Sequence, residues 1–316
     1  MIEWSAIEIG ILARAISHAP SVHNTQPWVL ETDTGTAELH ERTTAALPRH
    51  DPAGRDRMIS CGAAVANLHL AVRALGRDAA VSVFPDDRRP NLVARLETST
   101  RQDTTAVEDE RYTALFRRRS HRAPFRLDRV SAHELRLLTE IARDGGTWAR
   151  VIDPRRESTG LAELLAHAGA VLREDRAYQR ELAAWMPSVP EPGAARASLP
   201  WAGLVRSSTH LPDTVTLAER LAREGLLVLV TGDDTRRDQV RAGAAMQRVW
   251  LTAVARGLAA SVLTQPLKLP EVRSDLVDQL GLAGFPQLIL RVGYPVAPAA
   301  APLRIPSTAD YREDWR

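Results

Sequence analysis

Arginines crowd one segment of the chain, where four of them and a serine fall within residues 117–122. Like charges repel, so such a cluster is favoured when an anion lies among the guanidinium groups. Guanidinium groups and a hydroxyl together match a phosphate monoester through charge-assisted, partly bidentate hydrogen bonds. The segment therefore predicts a phosphate site, with a solvated basic turn as the alternative.

A second polar segment runs from Pro20 to Trp28 and carries Ser21, Asn24 and Gln26 between two prolines. Amide side chains offer both hydrogen-bond donors and acceptors, which suits the edge of a heterocycle bearing carbonyls and ring nitrogens. The segment predicts a contact with such a ring, and a capped turn is the alternative.

A third segment, residues 263–267, follows a predicted strand and contains Thr264 and Gln265. Its backbone N–H groups could meet a ligand at the end of the strand. From the residues alone, an ordinary strand exit is the better explanation.

Other kinds of site find little support. The nine histidines are scattered and form no His-Glu-x-x-His pair, so no metal site is predicted. The single cysteine, Cys61, excludes an intramolecular disulfide and is expected to be a small buried side chain. Hydrolase elbows and the glycine patterns of nucleotide-binding folds are missing from the sequence.

Composition narrows the class of protein. The 316 residues are 44% hydrophobic and 25% charged, as in ordinary globular proteins. The formal net charge of +2 argues against a nucleic-acid partner. No apolar run approaches the roughly 20 residues of a membrane span, and the first 20 residues do not resemble a signal peptide, so we expect a cytoplasmic protein without a membrane partner.

The elements around the polar segments follow from periodicity. An apolar stripe predicts a helix over residues 7–18 that stops before Pro20. Strands are expected at 28–32 and 36–40 around the turn residues Asp33, Thr34 and Gly35. A helix is expected from about 62 to 75, with further strands at 80–84, 226–231 and 285–292.

An internal echo gives the chain its organisation. The pattern that begins at Gly62 and ends at Gly76 returns at Gly243 and Gly257, with a constant offset of 181 residues. Each copy is a small-residue helix that leads into a strand, the second of them at 261–264. The echo predicts a duplicated unit, with two unrelated core helices as the alternative.

Irregular stretches suggest boundaries. Residues 101–111 are polar and charged and are interpreted as a linker or solvated segment, which places a boundary near 105 between halves 1–105 and 106–316. Residues 185–213 hold five prolines and two tryptophans, a composition that predicts a lid-like loop packed on a flat ligand. The proline- and alanine-rich C-terminal tail from residue 294 is expected to wrap over the rest of the protein.

Two of these motifs together resemble the flavin motifs of the nitroreductase superfamily. They are Arg-Arg-Ser-x-Arg at 118–122 and Pro-Ser-x-x-Asn-x-Gln-Pro-Trp at 20–28. Their order is the reverse of the usual one, which resembles the Acg-type branch, where one chain mimics the nitroreductase homodimer. Segments 51–55 and 59–64 also look like that branch, so the resemblance spans nearly the whole chain.

The resemblance implies an α+β nitroreductase-like fold in which two fused half-copies form a pseudo-dimer with one FMN site. No side chain is expected to act as acid or base, because the flavin carries the chemistry. The resemblance assigns the phosphate and ribityl chain to the arginine motif and the tail, the flavin ring to the first half, and its reactive edge to the third segment. The implied residues, with Gln26 added from the second polar segment, are Arg118, Arg119, Ser120, Arg122, Arg304, Pro20, Ser21, Val22, Asn24, Gln26, Thr264 and Gln265.

Three functions remain open at this point. The first is an FMN-dependent oxidoreductase that passes hydride from NAD(P)H, whether NADH or NADPH, to a small-molecule acceptor such as a nitro compound, a quinone or a pathway intermediate. The second is a catalytically silent FMN-storage or regulatory protein in which a lid occludes the flavin. The third is a flavin-dependent dehydrogenase or oxidase that acts on a tailored metabolite. The expected unit is a monomer acting as a pseudo-dimer, with further dimerisation left open.

Overall fold

The computed structural model describes residues 3–185, 199–202 and 204–296, without the side chain of Thr100. Two four-stranded antiparallel sheets lie in these ranges, and helices pack against them, so the fold is α+β. The strands are β1 Trp28–Asp33, β2 Thr36–Glu41, β3 Arg77–Val83, β4 Leu92–Arg101, β5 Thr147–Val151, β6 Gly225–Thr231, β7 Ala259–Leu263 and β8 Phe285–Gly293. The helices are α1 Ala6–Ser17, α2 Arg55–Ala74, α3 Ala106–Arg117, α4 Ala132–Ala142, α5 Ser158–Glu174, α6 Arg176–Trp185, α7 Thr214–Leu221, α8 Arg236–Ala255 and α9 Pro270–Leu280.

The first sheet has the order β1-β2-β4-β3. Its leading hairpin turns between Asp33 and Thr36, as the turn residues predict. Helix α1 precedes it and begins at a capping box, in which Ser5 and Glu8 satisfy each other's backbone N–H groups. The predicted first helix and first two strands are thus confirmed, and α1 delivers the chain to the polar segment that begins at Pro20.

The second sheet has the order β5-β6-β8-β7. Strand β6 is buried at every position, which explains why it is a continuous apolar run in the sequence. Strand β8 is buried at all but its first residue, although it carries the polar Gln287 and the charged Arg291. Each fully buried leucine or valine contributes about 1.5 to 3 kcal/mol. This strand pair therefore forms the stable base from which β7 presents its C-terminal end.

The two sheets are joined through helices α2 and α8, which cross at a pair of glycines. A Cβ atom on Gly62 would lie 2.0 Å from the carbonyl oxygen of Val240, and one on Gly243 would lie 2.0 Å from the carbonyl oxygen of Ile59. The contacts are reciprocal under the 181-residue offset, because Ile59 corresponds to Val240 and Gly62 to Gly243. Only glycine permits helix backbones to approach so closely.

Helix α2 begins seven residues earlier than predicted, at Arg55 instead of Gly62. The carboxylate of Asp51 accepts hydrogen bonds from the backbone N–H groups of Asp56 at 3.1 Å and Arg57 at 2.8 Å. These two donors would otherwise be unsatisfied in the first turn. The prediction missed this turn because its polar residues interrupt the apolar pattern.

The sequence predicts a linker or a solvated segment at residues 101–111. They are exposed or half-buried throughout, as expected for a solvated segment, but most of them are not a linker. Helix α3 begins at Ala106, and Thr105 and Glu108 form a capping box at its start. The signature was present in the sequence as a threonine followed three residues later by glutamate, but the charged surface of the helix obscured it. Strands β4 and β5 were also not predicted.

The long irregular stretch at 185–213 is described only in part. Residues 186–198 and Gly203 lie outside the described residues, as does the C-terminal tail beyond 296 with Arg304. In the described part, Trp201 is buried, and the backbone N–H of Leu199 donates to the carbonyl of Arg122 at 2.7 Å. No helix in the described ranges is long and apolar enough to cross a membrane.

Candidate functional site

A pocket opens where parts of the chain on both sides of residue 105 meet. The loop after α1, residue His50 and the first turns of α2 line one side. The other side is formed by Ser120 and Arg122 of the arginine cluster, by the α8 side chains Met246 and Trp250, and by the end of β7 with the residues that follow it. Much of the apolar wall consists of Trp201, Ala202, Leu204, Val205 and Leu211.

The loop after α1 is held in an unusual backbone conformation. His23, Asn24 and Gln26 all have positive φ angles, of 49°, 56° and 45°. Each such angle in a residue other than glycine costs about 1 to 3 kcal/mol and persists only where the surroundings enforce it. Here the Ser21 hydroxyl accepts from the backbone N–H of Gln26 at 3.1 Å, and the backbone N–H of Val22 donates to Ser60 Oγ at 3.3 Å.

A hydrogen-bonded chain of ionisable side chains lies in the polar wall. His23 Nε2 is 3.2 Å from His50 Nδ1, and His50 Nε2 is 3.3 Å from Asp56 Oδ2. The same carboxylate oxygen accepts from the hydroxyl of Thr264 at 2.6 Å, and the other accepts from Arg55 Nη2 at 3.1 Å. The chain therefore links residues from both sides of the pocket.

Burial alone would raise the pKa of the Asp56 carboxyl. The positive charge of Arg55 and hydrogen bonds from His50 and Thr264 outweigh this effect and hold the pKa below its usual range. Burial, together with the nearby His50 and Arg122, lowers the pKa of His23 to about 3. At neutral pH the wall thus contains a carboxylate and a neutral His23.

The third sequence segment lies at the pocket, with its side chains already engaged by the protein. Thr264 donates to Asp56, and Gln265 accepts from the backbone N–H of Val205 at 3.0 Å. The Gln265 amide also donates to the hydroxyl of Tyr178. These contacts fix the strand exit against the apolar wall.

The arginine cluster divides between the protein interior and the pocket. Arg118 is buried, donates to the carbonyl of His18 at 3.2 Å and lies over the ring of Trp250. Arg119 donates to the carbonyls of Phe116 and Arg118 at 3.0 and 2.7 Å. Neither belongs to the pocket lining, whereas Ser120 and Arg122 do.

Protein surrounds Arg122 on most sides. Its side chain is nevertheless accessible, because it faces the pocket. Burial of the guanidinium and the nearby positive charge of Arg206 both lower the pKa of Arg122. Two neighbouring cations repel each other, and an anion between them would relieve the repulsion.

The apolar wall is aromatic in part and contains polar atoms that lack partners. Trp201 and Trp250 line the pocket, and the indole N–H of each is buried with no hydrogen-bond partner among the described residues. The Nδ1 atom of His23 is likewise buried and has no hydrogen-bond partner among the described residues. A bound molecule with polar edges could satisfy such atoms.

Comparisons with known proteins identify the family of this chain. The profile of the Nitroreductase family matches residues 115–294. A Mycobacterium tuberculosis (strain H37Rv) protein named "Putative NAD(P)H nitroreductase Rv3131" is 31% identical over 303 residues, covering 87% of this chain and 82% of its own length. The chain belongs to the nitroreductase family.

Further relatives of this nitroreductase-family chain include the protein named "Putative NAD(P)H nitroreductase acg" from the same strain, 28% identical over 87% of this chain and 85% of its own length. Among solved structures, a nitroreductase with bound FMN from Bacteroides fragilis is 13% identical. It covers 65% of this chain and 97% of its own, with a TM-score of 0.42.

The pocket of this nitroreductase-family chain brings together seven of the twelve residues expected from the sequence. They are Pro20, Ser21, Val22, Ser120, Arg122, Thr264 and Gln265. The lining does not include Asn24, Gln26, Arg118 or Arg119, and Arg304 lies outside the described residues. Gln26 is buried, whereas Asn24 is exposed.

Sequence reasoning missed His23, His50 and Asp56 as members of the site. These residues are separated by 27 and then 6 positions, which matches no ligand or catalytic motif. One signal was available, since Asp56 directly follows a segment that resembles the Acg-type branch. Its pairing with the two histidines, however, depends on the fold.

Proposed function

We propose that this protein is an FMN-dependent oxidoreductase that takes hydride from NAD(P)H and reduces a small-molecule acceptor such as a nitro compound, a quinone or a pathway intermediate. One observation carries the proposal. A single pocket combines Ser120 and Arg122 of the arginine motif with Ser21 and Val22 of the second polar segment, in a chain of the nitroreductase family. The name of the relative described above supports NAD(P)H as donor.

The unpaired polar atoms of the pocket fit the flavin ring. The indole N–H groups of Trp201 and Trp250 can donate to carbonyl oxygens, and His23 can pair with a ring N–H or ring nitrogen. Arg122 and Ser120 supply the charge-assisted donors that a phosphate needs. When bound, FMN would supply the hydride chemistry, and the chain would position it and set its electrostatic surroundings.

We further propose that residues 1–105 and 106–316 form a pseudo-dimer with one flavin site. Two features support this division. The boundary falls between β4 and α3, and the Gly62 and Gly243 contacts are reciprocal across the two sides. The remaining candidates would then contribute to the flavin site from outside the described pocket lining. They are Asn24, Gln26, Arg118, Arg119 and Arg304.

A catalytically silent flavin protein is the second candidate. Trp201, Leu204, Val205 and Leu211 belong to the pocket lining, so part of the segment at 185–213 occupies space beside the ligand. A wall that leaves no room for a nicotinamide ring would block hydride delivery. Replacement of Trp201 by alanine would then raise NAD(P)H oxidation from near zero.

The test is to purify the protein, record its visible spectrum and titrate it anaerobically with NADPH and then NADH. Rapid bleaching of a bound flavin is the expected result for an oxidoreductase. A flavin that stays oxidised with both donors, yet is reduced by dithionite, would favour the silent protein. No bound flavin after incubation with FMN would overturn both proposals.

A further inference from the structure

The hydrogen-bonded series of Asp56, His50 and His23 ends at an atom without a partner. All three residues line the pocket, and the side chains of His50 and Asp56 are only 2% and 7% exposed. His23 Nδ1 is buried and makes no hydrogen bond to the described residues. A neutral imidazole nitrogen donates or accepts according to the tautomer of its ring, so the character of this atom depends on the rest of the series.

The series begins at the Asp56 carboxylate. Its Oδ1 atom accepts from Arg55 Nε and Nη2 at 3.3 and 3.1 Å, and its Oδ2 atom accepts from the Thr264 hydroxyl at 2.6 Å. Burial raises the pKa of this carboxyl, but the charge of Arg55 and the hydrogen bonds from His50 and Thr264 hold it below its usual range. An ionised carboxylate only accepts hydrogen bonds, so His50 must donate to it from Nε2, across 3.3 Å.

The proton positions of both histidines follow from this carboxylate. A neutral His50 with its proton on Nε2 has a lone pair on Nδ1, which lies 3.2 Å from His23 Nε2. His23 must then donate its proton from Nε2, and its Nδ1 atom carries a lone pair. Burial, together with the nearby His50 and Arg122, lowers the pKa of His23 to about 3, so this lone pair stays unprotonated at neutral pH.

We propose that Asp56 and His50 are positioning residues that fix His23 as a hydrogen-bond acceptor for the ring N–H of FMN. The oxidised isoalloxazine ring has a single N–H group, at N3, between two carbonyls. The buried indole N–H groups of Trp201 and Trp250, which lack partners among the described residues, can donate to carbonyls. One acceptor and two donors thus complement this edge of the ring. The inference rests on the proposed function and deepens it, since it assigns the recognition of that edge to His23.

The substitution Asp56→Asn should reverse the tautomer of both histidines. Arg55 donates two N–H groups to Oδ1, so the asparagine carbonyl oxygen should keep that position and its NH2 group should replace Oδ2. One amide hydrogen then faces the Thr264 hydroxyl, which can accept it, and the other faces His50 Nε2. His50 must then donate from Nδ1, and His23 must carry its proton on Nδ1.

Nitrogen-15 NMR of histidine-labelled, FMN-free protein measures the tautomers. At about pH 8.5, about two units above the usual histidine pKa, the rings are observed in their neutral form. We expect the proton on Nε2 of His23 and His50 in the wild type and on Nδ1 of both in Asp56→Asn. Asp128→Asn is the matched control, because it removes an exposed carboxylate and should leave both tautomers unchanged. An Nδ1–H tautomer at His23 in the wild type, or an unchanged tautomer in Asp56→Asn, would overturn the proposal.

The addition of FMN tests the contact itself. A ring nitrogen that accepts a hydrogen bond moves upfield in its nitrogen-15 signal, so we expect this shift at His23 Nδ1 and none at His133, an exposed histidine on α4. In Asp56→Asn, an N–H of His23 would face the N–H of the flavin ring. Its FMN affinity, measured by fluorescence titration, should therefore fall about 10- to 100-fold, and that of Asp128→Asn should not change.

The outcomes separate this inference from the proposed function. FMN binding that leaves the His23 Nδ1 signal in place would overturn the inference alone, as would wild-type affinity in an Asp56→Asn variant with reversed tautomers. A wild-type protein that does not bind FMN would overturn the proposed function and the flavin contact together. Circular dichroism shows whether each variant is folded, and the wild-type tautomers and the FMN-induced shift remain decisive if Asp56→Asn does not fold.

Discussion

Arg122 shows how identical residues in one motif acquire different roles. Arg118 and Arg119 direct guanidinium groups to backbone carbonyls, and Arg118 also stacks on Trp250. Arg122 instead lines the pocket beside the charge of Arg206. Arg122 therefore stabilises an anion in the pocket more than Arg118 or Arg119 does, although all three belong to one motif.

Replacement of Arg122 by glutamine should weaken FMN binding by about 10- to 100-fold, because a hydrogen bond to a charged group contributes about 1.5 to 3 kcal/mol. Fluorescence titration of the apoprotein with FMN measures the change. Arg126→Gln is the matched control, since Arg126 lies four residues away in an exposed ion pair with Asp128. Equal affinities for the two variants would remove Arg122 from the phosphate site.

For individual residues, the sequence predicted membership of the pocket better than it predicted hydrogen-bond partners. Ser21, Ser120 and Arg122 stand in short motifs, so local composition was enough to select them. Gln265 was also selected, although its amide binds Tyr178 and Val205. The partners of a side chain depend on residues distant in sequence, and here they lie 87 and 60 positions away.

Among the elements, α3 is tied to the end of α2 by one charged pair. Arg73 is buried on α2, and its guanidinium donates to both carboxylate oxygens of Glu108, at 2.8 and 3.3 Å. Glu108 also completes the capping box with Thr105. The hydrogen bond from Arg73 is the main reason that the pKa of Glu108 falls to about 2.

Glu108→Gln should isolate the charge of this pair, because glutamine can also serve in a capping box. We expect the free energy of unfolding at pH 7 to fall by about 1.5 to 3 kcal/mol. The folded-state pKa lies below the unfolded one, so the contribution of Glu108 is complete above about pH 4.5 and is lost as pH falls towards 2.

Urea unfolding of wild type and variant at a series of pH values measures this difference. It should be constant above about pH 5 and shrink towards zero near pH 2. Glu110→Gln on the exposed face of the same helix serves as the control. A difference that does not change with pH would show that Glu108 acts through packing alone.

Elements were predictable where one face is apolar and the other polar, as in α1, or where a whole strand is buried, as in β6. Helix α2 fits neither case. Its buried positions include Arg55, Asn67 and Arg73, whose partners lie elsewhere in the chain. Asn67, for example, accepts from Gln247 of α8 at 2.7 Å, so the polar interruptions make sense only once the two helices are paired.

For the whole molecule, the contact between α2 and α8 sets the width of the pocket. Ile59 and Ser60 of α2 line one side, and Met246 and Trp250 of α8 line the other. The separation of these side chains depends on the glycine crossing, which lies within about two helical turns of each of them. The duplicated Gly-Ala-Ala pattern predicted a repeated helix, and the reciprocal contact between the copies emerged only in the structure.

Gly62→Ala should therefore disturb both stability and binding. Its Cβ would lie 2.0 Å from the carbonyl oxygen of Val240, so the helix backbones must separate. Overpacking costs about 1 to 3 kcal/mol, and this contact should fall at the upper end because it involves backbone atoms. Gly243→Ala should cost a similar amount, because its Cβ meets the carbonyl oxygen of Ile59 at the same distance.

Gly10→Ala is the matched control, since nothing lies within 4 Å of its Cβ position in α1. Alanine should stabilise that helix by up to about 1 kcal/mol. Thermal unfolding measures the stabilities, and FMN titration well below each midpoint measures binding by folded protein. If Gly62→Ala lowered the midpoint but left FMN affinity unchanged, the flavin would not depend on the spacing of α2 and α8, and a site built jointly by the two halves would be untenable.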